Sequence, residues 1–190
     1  MLISKPPKWY HYPAACSHSE AEIDQRLSLA HKIHVLLQAN NVNHMLCYGT
    51  LWGILRLNDI LPWDTDIDFC IWDSDLENIE EAYLHKLFKF EGIRLEYDLR
   101  KGSYRATQGD AFADIVIFEL SDDFTMLQRL GLSYKFSSGR DSFPSRLIAA
   151  PLPTTKLRGR EFPIPHGGIE IQKYLYPETW QKEVKPPNCL

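Results

Sequence analysis

The spacing of apolar positions divides the chain into readable elements. Ile23, Leu27, Ala30, Ile33 and Leu37 recur at intervals of three and four, which predicts a helix over 20–39 with one buried stripe. Two overlapping capping boxes, Ser17-x-x-Glu20 and Ser19-x-x-Glu22, open it, and Asn40-Asn41 closes it. Met45 to Tyr48 is a short apolar strand, and Leu51 to Arg56 gives one or two helical turns. Ser74-x-x-Glu77 starts a second helix that carries Leu76, Ile79, Tyr83 and Leu87 on one side and stops near Gly92. Ile93 to Leu99 alternates as a strand, Lys101-Gly102 turns the chain, and 103–107 is a weak return strand. Ala111 to Leu120 is the strongest strand signal, followed by a stretch over 121–150 without a clean period, in which 137–141 reads as a loop. The turn Arg158-Gly159 then makes a hairpin of 154–157 and 160–165, and Ile169 to Tyr176 a short helix.

Charge changes the picture in the middle of the chain. From Asp59 to Glu81 there are nine acidic residues and no Lys or Arg. Asp64, Asp66 and Asp68 alternate with Thr65 and Ile67, so on an extended strand they share one face while Ile67, Phe69 and Ile71 take the other. Two carboxylates about 6 Å apart repel by roughly 3 kcal/mol at an effective dielectric near 20. A divalent cation would relieve that repulsion, since hard cations take carboxylate oxygens; an acidic solvated loop is the plainer alternative. Upstream, Gly49-Thr50 at a strand-to-helix junction presents backbone N–H groups to an anion. Downstream, Asp114 stands alone among apolar residues mid-strand, a costly place unless it binds metal or pairs with Arg105 across the hairpin.

Gly49-Thr50-Leu51-Trp52-Gly53, Arg56 and Ile60-Leu61-Pro62-Trp63-Asp64-Thr65-Asp66-Ile67-Asp68 resemble the signature of the LicD/fukutin family. The closing segment, with Phe162-Pro163-Ile164, Tyr174-Leu175 and Trp180, is similar too. Two positions depart: Thr65, where the family often has a further Asp, and Tyr176-Pro177, where it usually has Tyr-Gly. The resemblance implies a nucleotidyltransferase-like mixed α/β domain with helices packed on a central mixed sheet. It also implies metal-dependent transfer of a phospho-alcohol, phosphocholine or ribitol phosphate, from a CDP-activated donor to a glycan, glycoprotein or glycolipid hydroxyl. Mg²⁺ or Mn²⁺ would then sit on Asp64, Asp66, Asp68 and Asp114, with either Asp64 or Asp114 taking the hydroxyl proton. Gly49, Thr50, Arg56, Lys156 and Arg158 are the candidate donor contacts, with His166 a further one. An Asp-x-Asp glycosyltransferase using a nucleotide sugar and a non-catalytic binding relative of the family are the rival expectations.

Composition sets the bounds. At 190 residues the chain suits one domain, 1–190, with an N-terminal arm over 1–16 and a loose tail over 183–190. A net charge of −4 gives no footprint for nucleic acid, and no apolar run is long enough to span a membrane. No signal-peptide core is visible, so the default compartment is the cytoplasm, or the Golgi and secretory lumen if the family habit holds. Cys16, Cys47, Cys70 and Cys189 show no zinc spacing; Cys47 and Cys70 fall in apolar runs and read as buried free thiols. His31 and His34 are one turn apart and read as surface or half-buried residues, and Arg94, Arg100, Lys101 and Arg105 as a solvated cluster that could meet phosphate.

Overall fold

The computed structural model describes residues 15–135 and 141–189. All but the end of the expected arm, and most of the expected loop at 137–141, lie outside these residues. A helix α1, Glu20–Ala39, is capped by Ser19, whose hydroxyl accepts from Glu22 N while Glu22 answers to Ser19 N, so one of the two capping boxes is used. The main sheet takes β1 (His44–Leu46), β2 (Ile67–Trp72), β5 (Ala111–Leu120), β4 (Ser103–Gln108) and β3 (Arg94–Asp98) in that order. β2 and β5 are parallel and the other pairs antiparallel. β5 is long enough to divide one edge between two partners: Ala111 to Val116 pairs with β4, and Phe118 to Leu120 with β6, Met126–Arg129. β6 in turn pairs with β7, Ser142–Pro144. A separate hairpin, β8 (Thr154–Leu157) and β9 (Arg160–Pro163), matches the one expected.

The period of two sorts the central strands between two cores. Ile67, Phe69 and Ile71 of β2 and Ala113, Ile115 and Ile117 of β5 pack under α1 and under α4, Glu81–Phe90. Cys70, Trp72, Val116 and Phe118 face the opposite core, with Leu127, Phe143, Leu147 and Ile171. Asp68 and Asp114, being in step with Cys70 and Val116, fall on that second face. No helix among the described residues is long and apolar enough to cross a membrane.

Two expectations are corrected, and two features go beyond what was expected. The helix expected from Ser74 to Gly92 is two: α3, Asp73–Leu76, ends with Glu77 as its cap, α4 starts after Glu80, and Leu76 and Ile79 pack against the first core at the turn between them. The weak return strand is a full internal strand, paired on both sides. Cys47 and Cys70 are not free thiols; they form a disulfide, because the antiparallel register of β1 and β2 brings their Cα atoms to 5.9 Å. Cys16 and Cys189 form a second, with Cα atoms 5.2 Å apart, which ties the tail to the start of the described chain.

Candidate active site

α2 runs from Tyr48 to Leu57, three residues earlier than the periodicity suggests, with Asn58 ending it in the left-handed region at φ 53°. The chain then doubles back across the helix, and Gly49 and Gly53, one turn apart, are what let it pass. A Cβ on Gly53 would lie 2.4 Å from the Asp59 carbonyl oxygen, and one on Gly49 2.7 Å from Asp64 Oδ2. The returning loop is thereby pressed onto the first turns of α2. Asp64 and Asp66 belong to this loop rather than to a strand, since β2 begins only at Ile67; of the three alternating acids, Asp68 alone sits in β2. From α1, the buried Arg26 holds the loop by donating from Nη1 to the Asp64 carbonyl at 2.8 Å, with Nη2 3.0 Å from His18 Nδ1. Sequence reasoning missed Arg26; the signal that would have found it is a cation set among the apolar positions Ile23, Leu27 and Ala30.

Gly49 and Thr50 meet Asp68 reciprocally. Gly49 N–H donates to Asp68 Oδ2 at 3.1 Å, and the Asp68 N–H donates to Thr50 Oγ1 at 2.9 Å. The Gly49 amide that the sequence offers to an anion is thus already given to a carboxylate. Register then aligns Asp68 of β2 with Asp114 of β5, and Asp114 with Arg105 of β4. Arg105 donates from Nε and Nη2 to the two oxygens of Asp114, both at 2.7 Å, and from Nη2 to Asp66 Oδ2 at 3.4 Å. The cross-hairpin partner of Asp114 is therefore the one weighed from the sequence.

Crowding raises the proton affinity of these acids. Burial, then the Asp66 charge, pushes Asp64 up to about 7. Burial and the neighbouring Asp114 raise Asp66, and burial with Asp66, Asp64 and Asp114 takes Asp68 well above the carboxylate range. Asp64 Oδ2 is buried with no hydrogen-bond partner. On the same side, the Tyr176 ring stands 6.3 Å from that of Tyr48 and 6.1 Å from that of Trp52, and its hydroxyl is pushed up by burial and by Asp68 and Asp64. Tyr48 donates to Asp141 at 2.8 Å, and Arg129 pairs with Asp141 at 3.2 Å while lying over the Tyr134 ring at 4.1 Å. Arg129, Tyr134 and Asp141 come from the stretch over 121–150 without a clean period, which is why sequence reasoning gave them no role; Tyr48 and Tyr176 were placed in elements but not at the site.

Three of the four remaining candidates are engaged elsewhere. Arg56 lies 3.9 Å over Trp52 and donates to the Lys182 carbonyl. Arg158 grips Asp59 through two bonds of 2.8 and 2.7 Å and also pairs with Glu20. Lys156 is exposed opposite Glu161 in the β8–β9 hairpin, and His166 Nε2 is 2.7 Å from the Ala149 carbonyl. A donor contact by Arg56 or Arg158 requires these partners to be exchanged.

As the side chains stand, no group of three or more His, Cys, Asp or Glu among the described residues is set to hold a metal ion. The physical reason is on view: Arg105 spans Asp66 and Asp114, and Asp68 is turned to the Gly49 amide. The chemistry of the donor set nonetheless fits a hard dication. It is all carboxylate oxygen, mutually repelling, with an orphaned buried oxygen on Asp64.

Residues 41–167 match the LicD/FKTN/FKRP nucleotidyltransferase domain. No curated protein matches the chain. Among solved structures, the solution structure of the antibiotic-resistance factor ANT(2'')-Ia aligns at 18% identity and a TM-score of 0.48, covering 75% of this chain and 66% of that one. The crystal structure of ANT(2'')-Ia in complex with adenylyl-2''-tobramycin aligns at 18% identity and a TM-score of 0.46, covering 77% and 71%.

Proposed function

The chain belongs to the LicD/FKTN/FKRP nucleotidyltransferase-domain family, and from that premise we propose that it moves a phospho-alcohol, of the phosphocholine or ribitol phosphate kind, from a CDP-activated donor to a glycan hydroxyl. The observation that supports this most is the alignment of Asp68 with Asp114 on one face of a parallel strand pair, with Asp66 reaching the same guanidinium and Asp64 held by Gly49 and Arg26. Asp66, Asp68 and Asp114 would hold Mg²⁺ or Mn²⁺, with Asp64 beside them; when bound, the ion supplies charge neutralisation for the donor's diphosphate and the departing CMP.

The chain's own groups do the rest. Gly49 fixes the Asp68 carboxylate by donating to Oδ2, and Thr50 fixes the Asp68 backbone by accepting from its N–H. We assign the proton of the attacking hydroxyl to Asp64 or Asp114; Asp64, pushed up to about 7 by burial and by Asp66, keeps one oxygen without a partner, buried against Gly49. The second core, with Tyr176 over the acids, shields one side from water. The two disulfides, which account for all four cysteines, support residence in an oxidising compartment such as the secretory lumen.

The test is nucleotide release by the full chain in Mg²⁺, with CDP-choline and CDP-ribitol set against UDP-sugars. CMP release from a CDP-alcohol, lost in Asp68→Asn, is the expected result. UDP release alone moves the assignment to a glycosyltransferase, and CDP binding without turnover of any donor moves it to a binding relative.

A further inference from the structure

Arg105 is the guanidinium that stands over the acid cluster. Its side chain is 46% exposed, whereas those of Asp66 and Asp114 beneath it are 22% exposed each, so it covers the carboxylates from the solvent side. It makes the fork-on-fork contact with Asp114 that carboxylates and phosphates both accept, and shares its Nη2 with Asp66. A dication on those oxygens would stand within a few ångströms of the guanidinium that already engages them, so the two cations repel one another and compete for the same carboxylates. Space for the side chain to leave exists: a cavity of about 240 Å³ lies against Arg105 and Asp114, lined also by Tyr97, Lys101 and Ser103.

We infer that Arg105 is a displaceable counter-ion: it holds Asp66 and Asp114 in place in the metal-free protein and transfers its fork to the donor's diphosphate when metal and nucleotide enter. This rests on the metal-dependent reading above and adds a thermodynamic requirement to it. Metal alone has to expel the guanidinium into water, and nucleotide alone has to meet a net-negative site. Together each removes the other's penalty, so their binding is positively and reciprocally coupled. A guanidinium suits the exchange better than an ammonium because its planar fork meets carboxylate and phosphate with the same geometry.

The experiment is Mn²⁺ binding to the full chain, followed by loss of the free-ion electron paramagnetic resonance signal, with and without CDP, the Mn²⁺ that CDP itself chelates being subtracted from a protein-free control. In the unaltered protein, CDP is expected to tighten Mn²⁺ about tenfold. Arg105→Gln is expected to bind Mn²⁺ alone about tenfold more tightly than the unaltered protein and to lose most of that coupling. Arg105→Lys, which keeps the charge and breaks the fork, is expected between the two, and carries the test if Arg105→Gln does not fold. Mn²⁺ affinity unchanged or weaker in both variants, or coupling retained in Arg105→Gln, overturns the inference while leaving the metal-dependent reading standing. Absence of Mn²⁺ binding to the unaltered protein and both variants, with or without CDP, overturns that reading and the inference together.

Discussion

Gly49 and Gly53 lie one turn apart on α2 and invite the same substitution with opposite consequences. Alanine adds a methyl group to each and improves helix propensity by up to about 1 kcal/mol, so this gain cancels in the comparison. At Gly53 the new Cβ meets backbone only: the Asp59 carbonyl oxygen at 2.4 Å, the Leu61 nitrogen at 2.9 Å and the Ile60 carbonyl carbon at 3.2 Å. To restore ordinary contact the loop must retreat by about 1 Å, and it cannot do so without lifting the buried Ile60 and Leu61. Overpacking of that kind costs about 1–3 kcal/mol, sometimes more. With backbone as the obstacle the cost falls at the upper end, about 3 kcal/mol, so Gly53→Ala is expected to lose about 2 kcal/mol net of the helix gain, or about 4–8 °C in Tm for a chain of this size. At Gly49 the new Cβ meets the end of one side chain, Asp64 Oδ2 at 2.7 Å. Turning that carboxylate off its preferred rotamer costs about 0.5–1.5 kcal/mol, which the helix gain largely offsets.

Gly49→Ala is thus expected to melt within about 3 °C of the unaltered protein, yet to displace an acid of the proposed site and weaken Mn²⁺ binding by about tenfold. Thermal unfolding and Mn²⁺ titration of the two variants side by side decide the matter. Gly49→Ala melting below Gly53→Ala, or binding Mn²⁺ as the unaltered protein does, would refute the assignment of Gly49 as the residue that seats Asp64.

Three further outcomes are expected. Asp68→Asn keeps an oxygen for the Gly49 amide but removes a buried acid that burial and the charges of Asp66, Asp64 and Asp114 make costly to ionise; the metal-free protein should gain about 1–2 kcal/mol at pH 7.5 by urea unfolding, and an unchanged or lower midpoint would contradict the crowding. His44 is held at about 4 by burial, so its neutral form stabilises the fold fully above the unfolded value near 6.5. That contribution, about 3 kcal/mol, is lost as pH falls from 6.5 towards 4, and His44→Gln should flatten this limb of a stability–pH curve. Replacing Cys47 and Cys70 together by alanine opens a loop spanning 23 residues and should cost about 3 kcal/mol on the chain-entropy account; thiol titration of the unfolded, unreduced protein should find no free cysteine, and four titratable thiols would remove both bridges.

What the sequence disclosed follows from which forces are local. α1 was legible because its stripe and its Ser19–Glu22 box are properties of neighbours along the chain, and β5 because a buried central strand is apolar on both faces. The acids were legible by residue type, and Asp68 and Asp114 are adjacent in the parallel pair. Their setting was not. Asp64 and Asp66 owe their place to a loop pressed onto two glycines and held by Arg26, contacts that join residues far apart in the chain. β6 and β7 escaped notice because strands of four and three residues carry too little alternation to register; they exist because Phe118 to Leu120 of β5 offers them an edge. The pairing of Cys47 with Cys70 likewise awaited the register of β1 on β2.

The Cys47–Cys70 bridge closes a covalent ring through α2, the returning loop and the first residues of β2. Gly49, Asp64, Asp66 and Asp68 all belong to that ring, and Asp114 does not. Three of the four acids are accordingly fastened into one small body, joined to the fourth by the ladder between β2 and β5 and by the Arg105 guanidinium that bridges Asp66 and Asp114. Any breathing that tunes the spacing of the carboxylates is thereby confined to a single seam.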